Sequence, residues 1–199
     1  MLLGCGPTAE AAGLSGEKDP AEQEEQGQRI EIKALNGSIV IPDDYYAFSE
    51  DIPYTDEMLL DIGIKPENFQ SALPLLMGNT MIVPAGEPYT EDTQTIYLKV
   101  KGKSYDNITL SELTEAEYQL IAQTVVASFG VLKYETVEGS GLRFFVFNAD
   151  QGMGNVCRFA TILNGHMIYL YTNTGKEEIS EEQLALMTDM ALSIEHDLD

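Results

Sequence analysis

Apolar residues flank an Asn-Gly pair twice in this chain, at Asn36-Gly37 and again at Asn164-Gly165. Asn-Gly between two apolar runs is a strong hairpin signal, because a type I′ turn requires positive φ at both central positions. The sequence therefore predicts β-hairpins over residues 30–41 and 156–172. Strands joined by such a tight turn are antiparallel.

Two longer segments show helical spacing and begin at a capping box, in which a Ser or Thr side chain and a Glu or Gln three residues later satisfy each other's backbone N–H groups. Thr114 and Glu117 begin the first segment, and Ser180 and Gln183 begin the second. Apolar residues at i, i+3, i+4 and i+7 predict the buried face of each helix. These faces comprise Tyr118, Ile121, Ala122, Val125 and Phe129 in the first helix and Leu184, Met187, Ala191 and Ile194 in the second.

The remaining pattern completes an α+β domain over residues 29–199. Several strands are apolar on both faces, notably 158–163 and 167–170, so we expect helices on both sides of an antiparallel sheet. Tight turns between strands favour this class over a doubly wound parallel sheet. Further strands are predicted over residues 81–83, 95–100, 132–137 and 142–147, and short helices are predicted from Thr55 and Pro66.

Charge is the most unusual feature of the composition. The chain carries 33 acidic and 11 basic residues, for a net charge of −22, while 44% of its residues are hydrophobic. Binding to nucleic acid needs Lys or Arg to displace counterions from the phosphates, so this charge argues against a nucleic-acid partner. We interpret the acidity as a source of solubility. The alternative is capture of a divalent cation.

The first residues suggest where in the cell the protein is located. Leu2-Leu3-Gly4-Cys5 resembles the lipobox that ends a bacterial lipoprotein signal peptide. The resemblance implies that Cys5 is lipidated and that residues 1–5 are a signal-peptide remnant. Only four residues precede Cys5, fewer than a full signal peptide needs, so the alternative is a chance occurrence of these residues at an ordinary start.

Residues 6–28 read as a tether. Gly, Pro, Glu, Gln and Ala dominate this stretch, which carries six acidic residues, one lysine and a single large apolar side chain, Leu14. Such a composition buries too little apolar surface to offset the entropy lost on ordering. The sequence therefore predicts a disordered acidic tether between a lipid anchor and the folded domain.

The domain resembles the Mog1/PsbP-like family, in which an antiparallel sheet lies between helical layers. The resemblance rests on Ile39-Val40-Ile41-Pro42-Asp43-Asp44-Tyr45, on residues 164–171, and on a final helix ending in Ala191-Leu192-Ser193-Ile194. These are structural positions and include no catalytic signature. The resemblance implies an α/β/α sandwich and a binding or accessory role.

Cys157 and His166 form the only thiol–imidazole combination within the second hairpin. If Leu163 pairs with His166 across the turn, Cys157 lies opposite Thr172. At about 3.3 Å per residue, Cys157 then lies about 20 Å from His166, too far for proton transfer. We therefore interpret Cys157 as a small core residue.

No other pattern indicates catalysis or a bound metal. The second histidine, His196, is predicted on the last turn of the final helix, and two histidines so far apart do not suggest a zinc or iron site. Nucleophile-elbow, P-loop and HExxH motifs do not occur. Residues 148–152 lack the alternating acids of a calcium loop and are predicted to form a turn. The sequence thus predicts no catalytic residue, no metal and no cofactor.

Two groups of side chains are candidates for contact with a protein or a small ligand at the cell surface. Four tyrosines lie in predicted loops, where exposed tyrosines favour recognition, although tyrosines also cover core edges. Three lysines project from one predicted strand, although lysines also guard exposed sheet edges. The candidates are Tyr45, Tyr46, Tyr54, Tyr89, Lys99, Lys101 and Lys103.

Together these patterns predict an extracytoplasmic, non-catalytic binding or accessory protein attached to the membrane only through Cys5. Two alternatives stay open. One is a cell-envelope hydrolase whose carboxylates are brought together only by the fold, since such a pair has no local signature. The other is a cation-binding module, which needs several acidic oxygens at one point.

Overall fold

The computed structural model describes residues 27–90, 93–150, 154–175 and 179–198. The strands in these ranges are β1 (Gln28–Ile32), β2 (Gly37–Ile41), β3 (Tyr45–Phe48), β4 (Asn79–Pro84), β5 (Ile96–Lys103), β6 (Glu135–Gly139), β7 (Leu142–Asp150), β8 (Asn155–Leu163) and β9 (His166–Gly175). The helices are α1 (Asp56–Asp61), α2 (Pro66–Ala72), α3 (Glu115–Ala127) and α4 (Glu181–Leu192). Cys5 and the tether up to residue 26 lie outside the described residues. None of the described helices is long and apolar enough to cross a membrane.

Seven strands form one antiparallel sheet in the order β3-β4-β5-β9-β8-β7-β6, and β1 and β2 form a separate pair. Strands β6 to β9 are neighbours in sequence and in space, because short turns join them. Strand β5 instead pairs with β9, and the segment between β5 and β6 contains α3. The predicted α+β class is confirmed.

Helices cover both faces of the sheet, as the strands with two apolar faces predict. On one face, α4 and the β1–β2 hairpin pack against alternate strand residues, among them Ile168 and Leu170. On the other face, α3 packs over the opposite set, which includes Met167 and Tyr169. Helices α1 and α2 form a further core over the far end of the sheet. The result is the predicted α/β/α sandwich.

The β8–β9 hairpin has the register that the Asn-Gly turn predicts. Leu163 pairs with His166, and Cys157 pairs with Thr172. Asn164-Gly165 adopts φ values of 43° and 83°, the left-handed geometry of a type I′ turn. Local turn chemistry therefore determined this register.

The first hairpin also forms, but the predicted two-residue turn is wrong. Strand β1 ends at Ile32, and Lys33–Leu35 make a turn of 3₁₀ helix before Asn36 reverses the chain with a φ of 45°. Leu35 is fully buried in the core beneath α4. Because Leu35 is buried in this way, β1 ends at Ile32 and does not continue to the turn.

The predicted capping box of α3 is complete, whereas that of α4 is half formed. The Thr114 hydroxyl accepts from the Glu117 backbone N–H, and the Glu117 carboxylate accepts from the Thr114 N–H at 3.0 Å. Ser180 accepts from the Gln183 N–H at 3.2 Å. The Gln183 side chain, however, is buried and lies 3.5 Å from Thr172 Oγ1. Packing beneath α4 thus replaces the second half of its cap.

The apolar spacing predicts the buried helix faces well. Most of the predicted residues are buried, while the others pack at the margins of the same cores. The buried residues are Tyr118, Ala122, Val125, Met187, Ala191 and Ile194, and the half-buried ones are Ile121, Phe129 and Leu184.

Several element boundaries differ from prediction. The turn predicted from residue 148 is wrong for residues 148–150, which extend β7 and pair with β8. Helix α4 ends before His196, because Glu195 forms a β-bridge with Ser38 and draws the chain away from the helix axis. Strand β6 begins at Glu135 instead of Leu132, whose side chain is 92% exposed. A leucine in that position contributes nothing to the core.

Candidate functional site

Three of the four candidate tyrosines lie near the β3 edge of the sheet. Tyr45 and Tyr46 belong to β3 itself, so their predicted loop placement is wrong; the chain turns back after Pro42 and adds this short strand to the edge of the sheet. The Tyr46 hydroxyl donates to Asp61 Oδ2 at 3.0 Å. Tyr54 packs edge-on against Phe69, with ring centroids 5.1 Å apart. All three side chains are half-buried at the margin of a core.

The lysine-bearing strand is an inner strand only as far as Lys99, because no described strand pairs with the β4 side of β5 beyond that residue. The sheet-edge interpretation is therefore wrong for Lys99 but agrees with the positions of Lys101 and Lys103. Strand β5 pairs with β4 as far as Lys99 and with β9 along most of its length. Lys101 Nζ lies 5.1 Å from the centroid of the Tyr169 ring, and Lys99 is the cross-strand partner of that tyrosine. Lys103 lies beyond an irregularity in the pairing, beside the turn at Gly165. The structure thus brings Lys99 and Lys101 together and places Lys103 elsewhere.

Three residues on adjacent strands form what we call the tyrosine–arginine row: Tyr97 on β5, Tyr171 on β9 and Arg158 on β8. Each residue is the cross-strand partner of the next. The two tyrosine rings stack, with centroids 5.3 Å apart and planes 22° apart. Tyr97 packs at the margin of the α1–α2 core and Tyr171 at the margin of the α3 core. The row therefore lies between the α1–α2 core and the α3 core.

Arg158 is the most unusual member of the row, because it is a charged residue with only 7% of its surface exposed. Its Cζ lies 4.8 Å from the centroid of Phe129, 5.8 Å from that of Tyr171 and 6.0 Å from that of Phe147. Its Nη1 atom is buried and has no hydrogen-bond partner among the described residues. Cation–π contacts of this kind stabilise a cation by about 0.5–2 kcal/mol. They leave the buried Nη1 of the guanidinium without an acceptor among the described residues.

The other two arginines show how this chain ordinarily treats a guanidinium. Arg29 Nη1 lies 2.5 Å from Glu195 Oε2. Arg143 forms ion pairs with both Glu115 and Glu138. Arg158 is more deeply buried than either, yet no carboxylate in the described part of the chain pairs with it. In a protein with 33 acidic residues, this missing counterion singles out the site.

The electrostatics of the row leave a cation among neutral phenols. Burial lowers the pKa of Arg158 from its usual value, but a guanidinium remains protonated in proteins. Burial is also the main reason that the pKa of Tyr97 rises to about 12, and the nearby Tyr89 phenol adds to this shift. Burial raises the pKa of Tyr169 to about 12 as well. At neutral pH these phenols are uncharged, and the positive charge of Arg158, Lys99 and Lys101 is not cancelled by them.

Of the four candidate tyrosines, Tyr89 lies beside the tyrosine–arginine row. It lies in the loop before β5 and is 38% exposed. Its phenol is close enough to Tyr97 to shift that residue's pKa. A second polar group lies near Lys99, where the cross-strand partner Asn79 has a buried Oδ1 atom without a hydrogen-bond partner among the described residues.

Cys157 lies on the opposite face of β8, beneath α4, and has no chemical role in the row. Burial raises the pKa of its thiol to about 11, so it stays protonated at neutral pH. His166 lies at the far end of the hairpin, with Nδ1 3.2 Å from the Lys101 carbonyl oxygen. Their separation along the paired strands agrees with the predicted register.

Carboxylates and metal ligands do not converge in the described part of the chain. Among those residues no Asp or Glu is buried, and no group of three or more His, Cys, Asp and Glu side chains has the arrangement of a metal site. A cavity of about 420 Å³ lies beside the end of β1. Its lining includes Lys33 and Asp51, which form an ion pair at 3.3 Å, and one further carboxylate, that of Glu31.

Sequence reasoning found Tyr89, Lys99 and Lys101 but missed the three residues of the row. Tyr97, Arg158 and Tyr171 all lie in predicted strands, where the sequence pattern predicts a structural role in the sheet. One signal was present, because Arg158 is the only charged residue in a run of otherwise apolar or small residues over 156–163. A charge in a strand that is apolar on both faces requires a partner, and the predicted hairpin register already places Tyr171 opposite it.

No family model matches the chain, and no curated protein matches it. The solution structure of cyanobacterial PsbP (CyanoP) from Synechocystis sp. PCC 6803 is similar to this chain over 93% of this chain and 100% of the other, with 12% identity and a TM-score of 0.44. A crystal structure from Bacteroides thetaiotaomicron VPI-5482 is similar over 87% of this chain, with 9% identity and a TM-score of 0.45. This chain spans 50% of that second chain. At these values the likeness is one of outline and carries no inference about function.

Proposed function

We propose that this chain is an extracytoplasmic binding protein, held to a bacterial membrane by a lipid on Cys5, and that its domain binds a small ligand at the tyrosine–arginine row. The observation that carries the proposal is the buried guanidinium of Arg158, which lacks a counterion among the described residues. Unpaired buried charge costs stability, and its usual explanation is a ligand that the charge serves.

The surroundings of Arg158 suit binding better than catalysis. Aromatic side chains enclose the guanidinium, and the stacked pair of Tyr97 and Tyr171 extends the row toward β4. Binding sites typically combine apolar and aromatic walls with a few polar groups that orient the ligand. No described nucleophile or general base accompanies Arg158, because the nearby phenols have raised pKa values and Cys157 lies on the opposite face of the strand.

The binding part of this proposal is tested with two small ring compounds, benzoate and its neutral analogue benzamide, by amide chemical-shift mapping on the ¹⁵N-labelled domain. We expect at least one compound to shift the amides of β5, β8 and β9 around Tyr97, Arg158 and Tyr171. A shift pattern confined to other surfaces, or no shift with either compound or with phenyl phosphate, contradicts binding at the row.

The lipid anchor is tested by mass spectrometry of the protein expressed in a bacterium from its complete native gene. We expect the mature chain to begin at Cys5 and to carry a diacylglyceryl group on the sulfur. Cys5→Ala is the control and should abolish the modification. An unmodified wild-type chain that begins at Met1 contradicts the anchor and the extracytoplasmic location, and leaves the binding proposal to stand on the row.

A further inference from the structure

We infer that the ligand of the tyrosine–arginine row is an organic oxyanion, whose charged group contacts Arg158 and whose ring or apolar body lies along Tyr97 and Tyr171. This inference rests on the proposed function and names the class of ligand for the same site. A carboxylate and a phosphate ester share the required chemistry.

The first argument is the cost of the bare charge. An apolar side chain of similar length would fill the position of Arg158 among Phe129, Phe147 and Tyr171 without desolvating a cation. The chain has many acidic residues, and it pairs Arg29 and Arg143 with them. A position that bears a guanidinium without a counterion among the described residues is therefore suited to a counterion supplied from outside.

The second argument is the geometry of the free donors. Aromatic rings engage a guanidinium through the ring face, whereas oxygen acceptors bind its N–H edge. Three rings surround Arg158, while its Nη1 has no acceptor among the described residues. A planar or tetrahedral oxyanion matches this fork with two parallel hydrogen bonds, which ammonium or neutral ligands cannot do.

The third argument concerns the body of the ligand and its approach. Tyr97 and Tyr171 are half-buried and stacked, and their phenols remain neutral at physiological pH. Phe129 is half-buried as well, so two of the rings that contact the guanidinium are partly exposed. Lys101 lies over the neighbouring Tyr169. It adds positive charge beside the surface from which a ligand would approach Arg158, in a chain of net charge −22.

The experiment compares benzoate, phenyl phosphate and benzamide at fixed ionic strength, by chemical-shift titration of the wild-type domain and of Arg158→Met. Charge-assisted hydrogen bonds are worth more than neutral ones, so we expect both anions to bind about tenfold or more tightly than benzamide. Arg158→Met should weaken both anions by about tenfold or more and leave benzamide nearly unchanged. Lys133→Met, which removes an exposed cation elsewhere, should leave all three affinities within about twofold.

Folding is checked in the same variants. Arg158→Met removes a buried charge without a counterion, so its melting temperature should be no lower than that of the wild type. Arg158→Lys is the second variant: it keeps the charge but loses the planar fork, and it should also weaken both anions. If Arg158→Met does not fold, Arg158→Lys decides the matter.

The outcomes separate this inference from the proposed function. Equal affinity for benzamide and benzoate at the row overturns the oxyanion while leaving a binding site there. Anion affinities unchanged in Arg158→Met, or in Arg158→Lys where Met does not fold, overturn the role of Arg158. Absence of binding by all three compounds overturns both. Tighter binding of benzoate assigns a carboxylate ligand, and tighter binding of phenyl phosphate assigns a phosphate ester.

Discussion

Buried polar side chains inside the sheet fall into two kinds. Thr172 Oγ1 donates to the Thr95 carbonyl oxygen at 2.9 Å, and Tyr118 Oη donates to the Phe144 carbonyl oxygen at 3.0 Å. Such groups have partners and cost little to bury. Arg158 has none for its Nη1 among the described residues. Among the described side chains with such an unpartnered buried atom, Arg158 is the one that carries a charge and has no ion pair.

Alkaline pH should destabilise the domain through its buried thiol and phenols. Burial raises the pKa of Cys157 to about 11 and that of Tyr169 to about 12, whereas in the unfolded chain these groups ionise near their ordinary values of about 8.5 and about 10. Because the folded pKa is the higher one, their contribution to stability is complete below pH 8 and is lost as pH rises through 11 to 12.

We therefore expect the free energy of unfolding, measured by urea titration, to fall between pH 8 and pH 11. Tyr169→Phe keeps the ring and removes the phenol, so it should show a smaller loss over the same range. A free energy of unfolding that is constant up to pH 11 contradicts the burial of these groups.

At the scale of elements, local chemistry accounts for the parts that were predicted. The Asn-Gly turn determined the β8–β9 register, and the apolar spacing determined which face of α3 is buried. The first Asn-Gly pair predicted the hairpin but not its turn, because Leu35, just before it, is buried in the core. Lys99 failed as an edge signal because β5 lies between β4 and β9 at that position, whereas the β4 side of β5 is unpaired among the described residues beyond it.

The capping box of α3 gives a prediction at this scale. Thr114→Ala removes the hydroxyl that accepts from the Glu117 N–H, and the loss of such a cap costs about 1 kcal/mol. For a domain of this size that corresponds to a fall of about 2–4 °C in melting temperature, measured by circular dichroism. Thr114→Ser retains the hydroxyl and should melt close to the wild type. Equal melting of wild type and Thr114→Ala would show that the cap contributes nothing.

At the scale of the whole molecule, the two ends of the domain are tied together. The Ser38 N–H donates to the Glu195 carbonyl oxygen at 3.0 Å, and the Glu195 N–H donates back to Ser38 at 2.9 Å. Asn36 Nδ2 adds a bond to the Asp197 carbonyl oxygen at 3.0 Å. The hairpin that follows the predicted tether is therefore closed by the residues after α4.

Gly37 makes this closure possible, because a Cβ at its position would lie 2.1 Å from the Glu195 carbonyl oxygen. Gly37→Ala should therefore displace the C-terminal segment and lower the free energy of unfolding by about 1–3 kcal/mol, measured by urea titration. Gly102→Ala is the matched control, since a Cβ there meets nothing within 4 Å, and it should change stability by less than about 0.5 kcal/mol. Equal stability of the two variants contradicts a stabilising contact between Gly37 and the segment after α4.

The amino-acid sequence by itself determined the α+β class, the two-faced burial of the sheet, the helix starts and the register of the second hairpin. Each of these depends on residues within a few positions of one another, where turn geometry and side-chain periodicity act directly. Only the tertiary structure decided that Tyr97 stands beside the pair of Tyr171 and Arg158. Its position depends on β5 pairing with β9, and the order of distant strands follows from the packing of the whole core, which no local pattern encodes.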